Sequence, residues 1–170
     1  MSKKVLIMAG GTGGHIFPAL AIAKELKARG VVVEWLGGKN GLENSLVPKH
    51  GYHLNSVYSS GLRGKSPITI LKAVFLLSLG LIQTILVFIN FRPNSVIGMG
   101  GYASGIGGLV SKIFFIPLII HEQNTIPGTT NKLLSKFCTN LGVFFDLGLK
   151  SIGFPVVIAL IFLSKVLSKA

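Results

Sequence analysis

Residues 10–15 read GGTGGH, directly after a short apolar run and directly before a helical pattern. Glycine tolerates positive φ and lets backbone N–H groups approach a ligand closely, and a helix amino terminus adds about half a unit of positive charge. Phosphate or diphosphate is the ligand such a turn favours; the alternative is a tight strand-to-helix turn that binds nothing. Histidine is the side chain that ordinarily titrates near neutrality, so His15 at the end of the loop suits a general base or a hydrogen-bond donor to phosphate, and otherwise a cap or packing residue. A second glycine-rich run, residues 98–108 (GMGGYASGIGG), again separates an apolar run from a helical pattern. Residues 121–124 (HEQN) end a third apolar run with an imidazole, a carboxylate and two amides. Such groups bind sugar hydroxyls or orient a catalytic group, or else form a helix-capping turn.

The first loop lacks the dinucleotide-binding spacing, because Ile16 stands at the third glycine position, although Glu34 falls near the place of a ribose-binding acid. It also lacks the lysine and hydroxyl pair of a P-loop. These gaps count against a nicotinamide-dependent oxidoreductase. No pair of metal-binding carboxylates is evident, and no metal or organic cofactor is expected.

Around these loops the apolar runs alternate with helical patterns, as in a parallel sheet covered by helices. Strands are expected at residues 5–9, 31–36, 53–58, 95–98, 117–121 and 141–145. Helices are expected at residues 17–29, with Pro18 in the first turn and Gly30 beyond the last, and at 42–49. Leu20, Ala23 and Leu26 share one face of the first helix, while Lys24, Glu25 and Lys27 face water. The fold class is therefore α/β, a doubly wound parallel sheet of Rossmann-like type. Both glycine loops would open at the carboxyl edge of one sheet, where ligands of open α/β sheets bind.

A chain of 170 residues holds one ordinary domain. Charged residues make up only 13%, against about 25% in a typical soluble protein, and the formal net charge is +12. That balance selects anionic partners: a membrane surface or a phosphorylated substrate. Scattered basic residues without an aromatic and basic RNA-binding signature argue against nucleic acid. The single cysteine, Cys138, excludes an internal disulfide, and glycines interrupt the first apolar run too early for a secretory signal, so the cytosolic side is expected. Residues 73–91 carry no charge, and about 20 apolar residues can span a bilayer. A spanning helix would cut the sheet, which favours a buried or an interfacial helix, with a membrane span as the remaining alternative. Residues 156–170 read as an apolar, amphipathic or frayed tail with Lys165 and Lys169.

Taken together, residues 10–21 (GGTGGHIFPALA), 46–51 (LVPKHG), 60–65 (SGLRGK), 98–105 (GMGGYASG), 121–124 (HEQN) and 131–136 (NKLLSK) resemble the amino-terminal domain of the MurG family. These are UDP-N-acetylglucosamine:undecaprenyl-diphospho-muramoyl-pentapeptide N-acetylglucosaminyltransferases. The resemblance implies the first half of a two-domain GT-B glycosyltransferase. Residues 1–150 would form an acceptor- and membrane-binding domain, residues 151–170 a remnant of the interdomain segment with a divergent tail, and the carboxyl-terminal donor-binding domain would be absent or separately encoded. His15 is implied as the base in an inverting transfer. Thr12, Gly13, Gly14, Gly100, Gly101, Tyr102, Ser104, Glu122, Gln123 and Asn124 are implied to bind UDP-N-acetylglucosamine and the lipid-linked acceptor, lipid I. Lys72, Phe75, Leu79 and Ile82 are implied to dock on an anionic membrane, which places the protein peripherally on the cytoplasmic face of the bacterial plasma membrane. Ile106 stands where the family usually carries proline, and Phe154 and Val157 stand where it carries asparagine and arginine. The alternative to a transferase is a non-catalytic, membrane-associated remnant that binds lipid-linked diphosphate or partner proteins.

Overall fold

A computed structural model describes residues 2–59, 67–122, 124, 128–136 and 140–143. The elements alternate: β1 (Lys4–Ala9), α1 (Gly13–Ala28), β2 (Val32–Gly38), α2 (Glu43–Lys49), β3 (His53–Val57), α3 (Pro67–Phe91), β4 (Ser95–Gly100), α4 (Tyr102–Ile113), β5 (Leu118–Glu122), α5 (Thr129–Leu134) and β6 (Asn140–Val143). The six strands pair in parallel in the order β3-β2-β1-β4-β5-β6. The order reverses between β1 and β4, and such a switch point opens a crevice beyond the carboxyl ends of the strands.

Strand alternation explains why both sheet faces are covered. Val5, Ile7 and Ala9 point into a core with Ile16, Ala19, Ile22, Ala23 and Leu26 of α1. Leu6 and Met8 point the other way, into a core with Phe88 and Phe91 of α3, Val110 of α4 and Leu134 of α5. A strand buried on both faces reads as a continuous apolar run, which is how β1 looks in the sequence. Leu20, Ala23 and Leu26 are buried as expected.

Two boundaries differ from expectation. Helix α1 begins at Gly13, not Phe17, so Pro18 is its sixth residue and has no N–H to offer the Gly14 carbonyl. Glycines 13 and 14 take helical dihedrals, so part of the glycine loop is the first turn of the helix. Strand β4 continues to Gly100, and its register against β1 shifts: Met8 pairs with Gly98, but Ala9 pairs with Gly100. The extra residue re-aims the end of β4 towards the first loop, as a bulge does. Residues 60–65, Gln123, Cys138 and the expected tail at 156–170 lie outside the described residues.

Candidate functional site

The two glycine turns leave adjacent strands at the switch point and touch. Gly101 takes φ 84° and ψ 170°, and a methyl group there would lie 2.7 Å from the Gly10 carbonyl oxygen. Gly100 takes φ 115°, and a methyl group there would lie 2.7 Å from Cε1 and 2.9 Å from Nδ1 of His15. Backbone of one turn therefore rests on backbone of the other, and the His15 ring lies over Gly100. The turns hold this shape through buried partners. The Trp35 indole N–H donates to the Ala9 carbonyl at 2.8 Å, and the Ser104 hydroxyl lies within hydrogen-bond distance of the Met8 carbonyl (2.5 Å) and the Gly100 carbonyl (2.7 Å).

Two helices start at this rim. Thr12 caps α1 with extended backbone, and its exposed side chain makes no capping bond. The N–H groups of His15 and Ile16 donate to the Thr12 carbonyl, at 3.1 and 3.3 Å. Among the described residues no acceptor takes the N–H of Gly13 or Gly14, nor those of Tyr102 and Ala103 at the start of α4. Opening amides of a helix have no partner inside it, and two such ends on one rim make an anion-binding surface.

Strand β5 neighbours β4 and delivers its last residue to the same rim. Burial works against the charge of Glu122, yet four hydrogen bonds outweigh it and hold the carboxyl below its ordinary range: from the Asn124 N–H, the Asn131 side chain, the Gly128 N–H and the Asn124 side chain, at 2.9 to 3.0 Å. Asn124 is exposed on the turn that Glu122 organises. Of the residues nominated from sequence, Thr12, Gly13, Gly14, His15, Gly100, Gly101 and Tyr102 share the open rim. Ser104 and Glu122 belong to the same rim but are buried, with their polar atoms engaged by the chain itself. Among the described residues no three His, Cys, Asp or Glu side chains gather as a metal site.

One residue escaped the sequence reading. Glu43, at the start of α2, is 1% exposed and accepts the Gly11 N–H at 3.0 Å and the Gly38 N–H at 2.8 Å. The available signal was an acid flanked by glycines 37, 38 and 41 in a chain with only five acids. Glu34, in contrast, sits mid-strand in β2, where it accepts a bond from Asn55 at 2.8 Å. It lines a concavity of about 410 Å³ with Lys4, His53 and Asn90 at the opposite edge of the sheet. A ribose-binding role at the glycine rim is thereby removed.

Helix α3 is apolar on its exposed face as well as on its buried one. Its protein-facing side holds Phe88 and Phe91 together with polar and small residues: Thr84 is fully buried, Gln83 accepts the Tyr58 N–H at 2.9 Å, and Gly80 lies directly on the Tyr58 carbonyl. Its opposite face carries large apolar residues outward, with Leu71 74%, Phe75 63% and Ile82 55% exposed, together with Val74, Leu86 and Ile89. Lys72 is exposed and Leu79 half-buried beside them. The segment is long and apolar enough to cross a membrane, but one face is committed to β3 and α4. Gly80 lies beside Ile106 and the Phe88 ring 5.9 Å from that of Phe114, so α3 and α4 run in the same direction. The first nine residues of α3 therefore stand beyond the start of α4 on the rim side, by roughly 13 Å of helix.

This strand order, with paired glycine turns and two helix starts at its switch point, defines a Rossmann-like domain. The chain belongs to glycosyltransferase family 28: the N-terminal domain of that family matches residues 5–143. Over 145 residues it is 57% identical to a protein of Vesicomyosocius okutanii, and over 141 residues 50% identical to one of Ectopseudomonas mendocina. Both are named UDP-N-acetylglucosamine-N-acetylmuramyl-(pentapeptide) pyrophosphoryl-undecaprenol N-acetylglucosamine transferase. The matches cover 85% and 83% of this chain but 43% and 40% of those relatives. The crystal structure of Acinetobacter baumannii MurG superposes with a TM-score of 0.76 at 38% identity, over 84% of this chain and 42% of that one. The chain thus spans about two fifths of the length of the proteins it matches.

Proposed function

We propose that this chain is the acceptor-binding and membrane-facing part of a peptidoglycan N-acetylglucosaminyltransferase. The transfer moves N-acetylglucosamine from UDP-N-acetylglucosamine to undecaprenyl-diphospho-N-acetylmuramoyl-pentapeptide. The observation that carries the reading is the contact between the two glycine turns at the switch point, with His15 laid over the second. The opening helix amides of Gly13, Gly14, Tyr102 and Ala103 hold the acceptor diphosphate. The His15 imidazole accepts the proton of the attacking C4 hydroxyl; the new bond forms at the anomeric carbon as its bond to UDP breaks, with inversion. Thr12 and Asn124, both exposed on the rim, face the donor. A carboxyl-terminal domain, of the kind that makes up the rest of the relatives' length, grips UDP. Residues 1–150 act as the acceptor domain, and residues 151–170 are a remnant of the interdomain segment with a divergent tail.

The outward apolar face of α3, with Lys72, docks on an anionic bilayer. This supports a peripheral position on the cytoplasmic face of the plasma membrane, with the rim held near lipid-linked substrate.

The test is transfer of radiolabelled N-acetylglucosamine to lipid I by the purified chain, alone and with the carboxyl-terminal domain of a relative supplied separately. Product in the complemented reaction is expected. Lipid I bound without product in either reaction would replace the transferase reading by a non-catalytic binding role; no lipid I binding would remove both.

A further inference from the structure

Glu43 is a buried carboxylate with no role in the transfer described above. Its two oxygens accept the N–H groups of Gly11, in the first glycine turn, and Gly38, at the end of β2. The space it fills is shaped for it. A methyl group on Gly37 would lie 2.7 Å from its Cγ, and one on Gly10 or Gly41 would overlap the carboxylate. The turn that carries it is itself braced, because the Asn44 side chain donates to the Gly38 carbonyl at 2.7 Å and the Gly41 carbonyl at 3.1 Å, and accepts the Ser56 hydroxyl at 2.9 Å. Among the described residues the only ion pair joins Arg29 to Glu25, so backbone amides alone balance the Glu43 charge.

The direction of these bonds matters at the rim. Gly11, at φ 91°, turns its N–H inward to Glu43, whereas the amides of Gly13 and Gly14 have no acceptor among the described residues. A glycine turn is soft, and its peptide planes can rotate. We infer that Glu43 is a positioning residue: it acts as an internal anion that takes the Gly11 amide and so fixes the turn with Gly13, Gly14 and His15 aimed at an external anion. Charge-assisted bonds to backbone N–H are the strong ones, which suits a carboxylate to this task where an amide side chain would not serve. In Glu43→Gln one oxygen becomes an NH₂ group that faces an N–H, so only one of the two amides keeps its acceptor. The inference rests on the anion site proposed above for the external ligand, but its claim about the turn stands on the free chain.

The test uses ¹⁵N-labelled 170-residue chain, with inorganic diphosphate as the probe. In the wild type the Gly11 amide is expected to exchange with solvent more slowly than those of Gly13 and Gly14. In Glu43→Gln the Gly11 and Gly38 resonances shift, those of Gly13, Gly14 and His15 follow, and diphosphate affinity falls about tenfold. Glu43→Asp, which keeps the charge on a shorter arm, is expected to recover part of that affinity, whereas a surface control, Glu25→Gln, changes none of these. Equal exchange at Gly11, Gly13 and Gly14 would overturn the inference without any variant. So would shifts confined to Gly11 and Gly38 with undiminished diphosphate binding. If the wild type binds no diphosphate, the external anion site fails instead, and the Gly13, Gly14 and His15 shifts in Glu43→Gln decide the positioning role alone.

Discussion

Replacing Gly101 by alanine adds one methyl group at the point where the two turns meet. Two costs follow from its surroundings. The backbone, at φ 84° and ψ 170°, lies in a region that residues with a side chain avoid, worth about 1 to 3 kcal/mol. The methyl would also stand 2.7 Å from the Gly10 carbonyl oxygen, and that oxygen has little freedom: Trp35 holds the Ala9 carbonyl before it and Glu43 the Gly11 N–H after it. Overpacking against a fixed partner costs roughly 1 to 3 kcal/mol more. The sum, about 2 to 6 kcal/mol, corresponds to a fall in Tm of roughly 6 to 18 °C for a domain of this size. Two other glycines separate the costs. Gly11 has φ 91° but open space around it, so Gly11→Ala carries only backbone strain and is expected to lower Tm by about half as much or less. Gly128 has φ −61°, and a methyl group there would meet none of the described residues within 4 Å, so Gly128→Ala is expected to be neutral or to stabilise by up to about 1 kcal/mol. Thermal unfolding followed by far-ultraviolet circular dichroism measures all three. If Gly101→Ala unfolds no earlier than Gly11→Ala, the turns do not bear on each other as described, and the shared site loses its basis.

Three further outcomes are expected. Glu122→Gln should destabilise the domain by about 2 to 4 kcal/mol at pH 7, because a charged acceptor of four bonds is lost. Since the folded carboxyl titrates below its ordinary 4.5, that contribution is present above this value and is lost as pH falls beneath it, so the difference in Tm between variant and wild type should shrink in acid; a gap constant from pH 7 to 3 would contradict this. His15→Ala should slow complemented sugar transfer by about 10²-fold or more with little change in Tm, and unaltered turnover would remove His15 as the base. Sedimentation with anionic vesicles should weaken with added salt and fall further in Phe75→Asp or Ile82→Asp, both exposed on α3; a loss no greater than for an aspartate placed at Lys24 would place the contact elsewhere.

Much of this architecture is written in local patterns. Strands buried on both faces leave unbroken apolar runs, so β1, β4 and β5 were legible, and the glycine turns after β1 and β4 pointed to one carboxyl edge. The start of α1 was not, because glycine reads as loop even where, as at Gly13 and Gly14, it forms a first helical turn. Ser104 and Glu122 were nominated by their place in motifs, yet their side chains bond to the Met8 carbonyl and the Gly128 N–H, contacts that no local spacing reports. Glu43 was missed for the same reason: one of its partners lies 32 residues away and both are backbone amides, which any residue but proline supplies. Periodicity does not orient the outward face of α3, since a helix apolar nearly all round has none; Phe75 and Ile82, both exposed there, were named only through the family resemblance. Only its packing on Tyr58 and α4 shows which side is which.

The reversal of strand order between β1 and β4 has a kinetic corollary. Val5 pairs with Ser95, and the Lys4 N–H donates to the Asn94 side chain, so the two edges of the crevice are ninety positions apart in the chain. A ribosome adding about 5 to 20 residues per second delivers the second edge several seconds after the first. Until then the nascent β1 can lean only on β2, with half its hydrogen-bonding rim open to other chains. A chaperone or the translating ribosome would have most to shield in that interval.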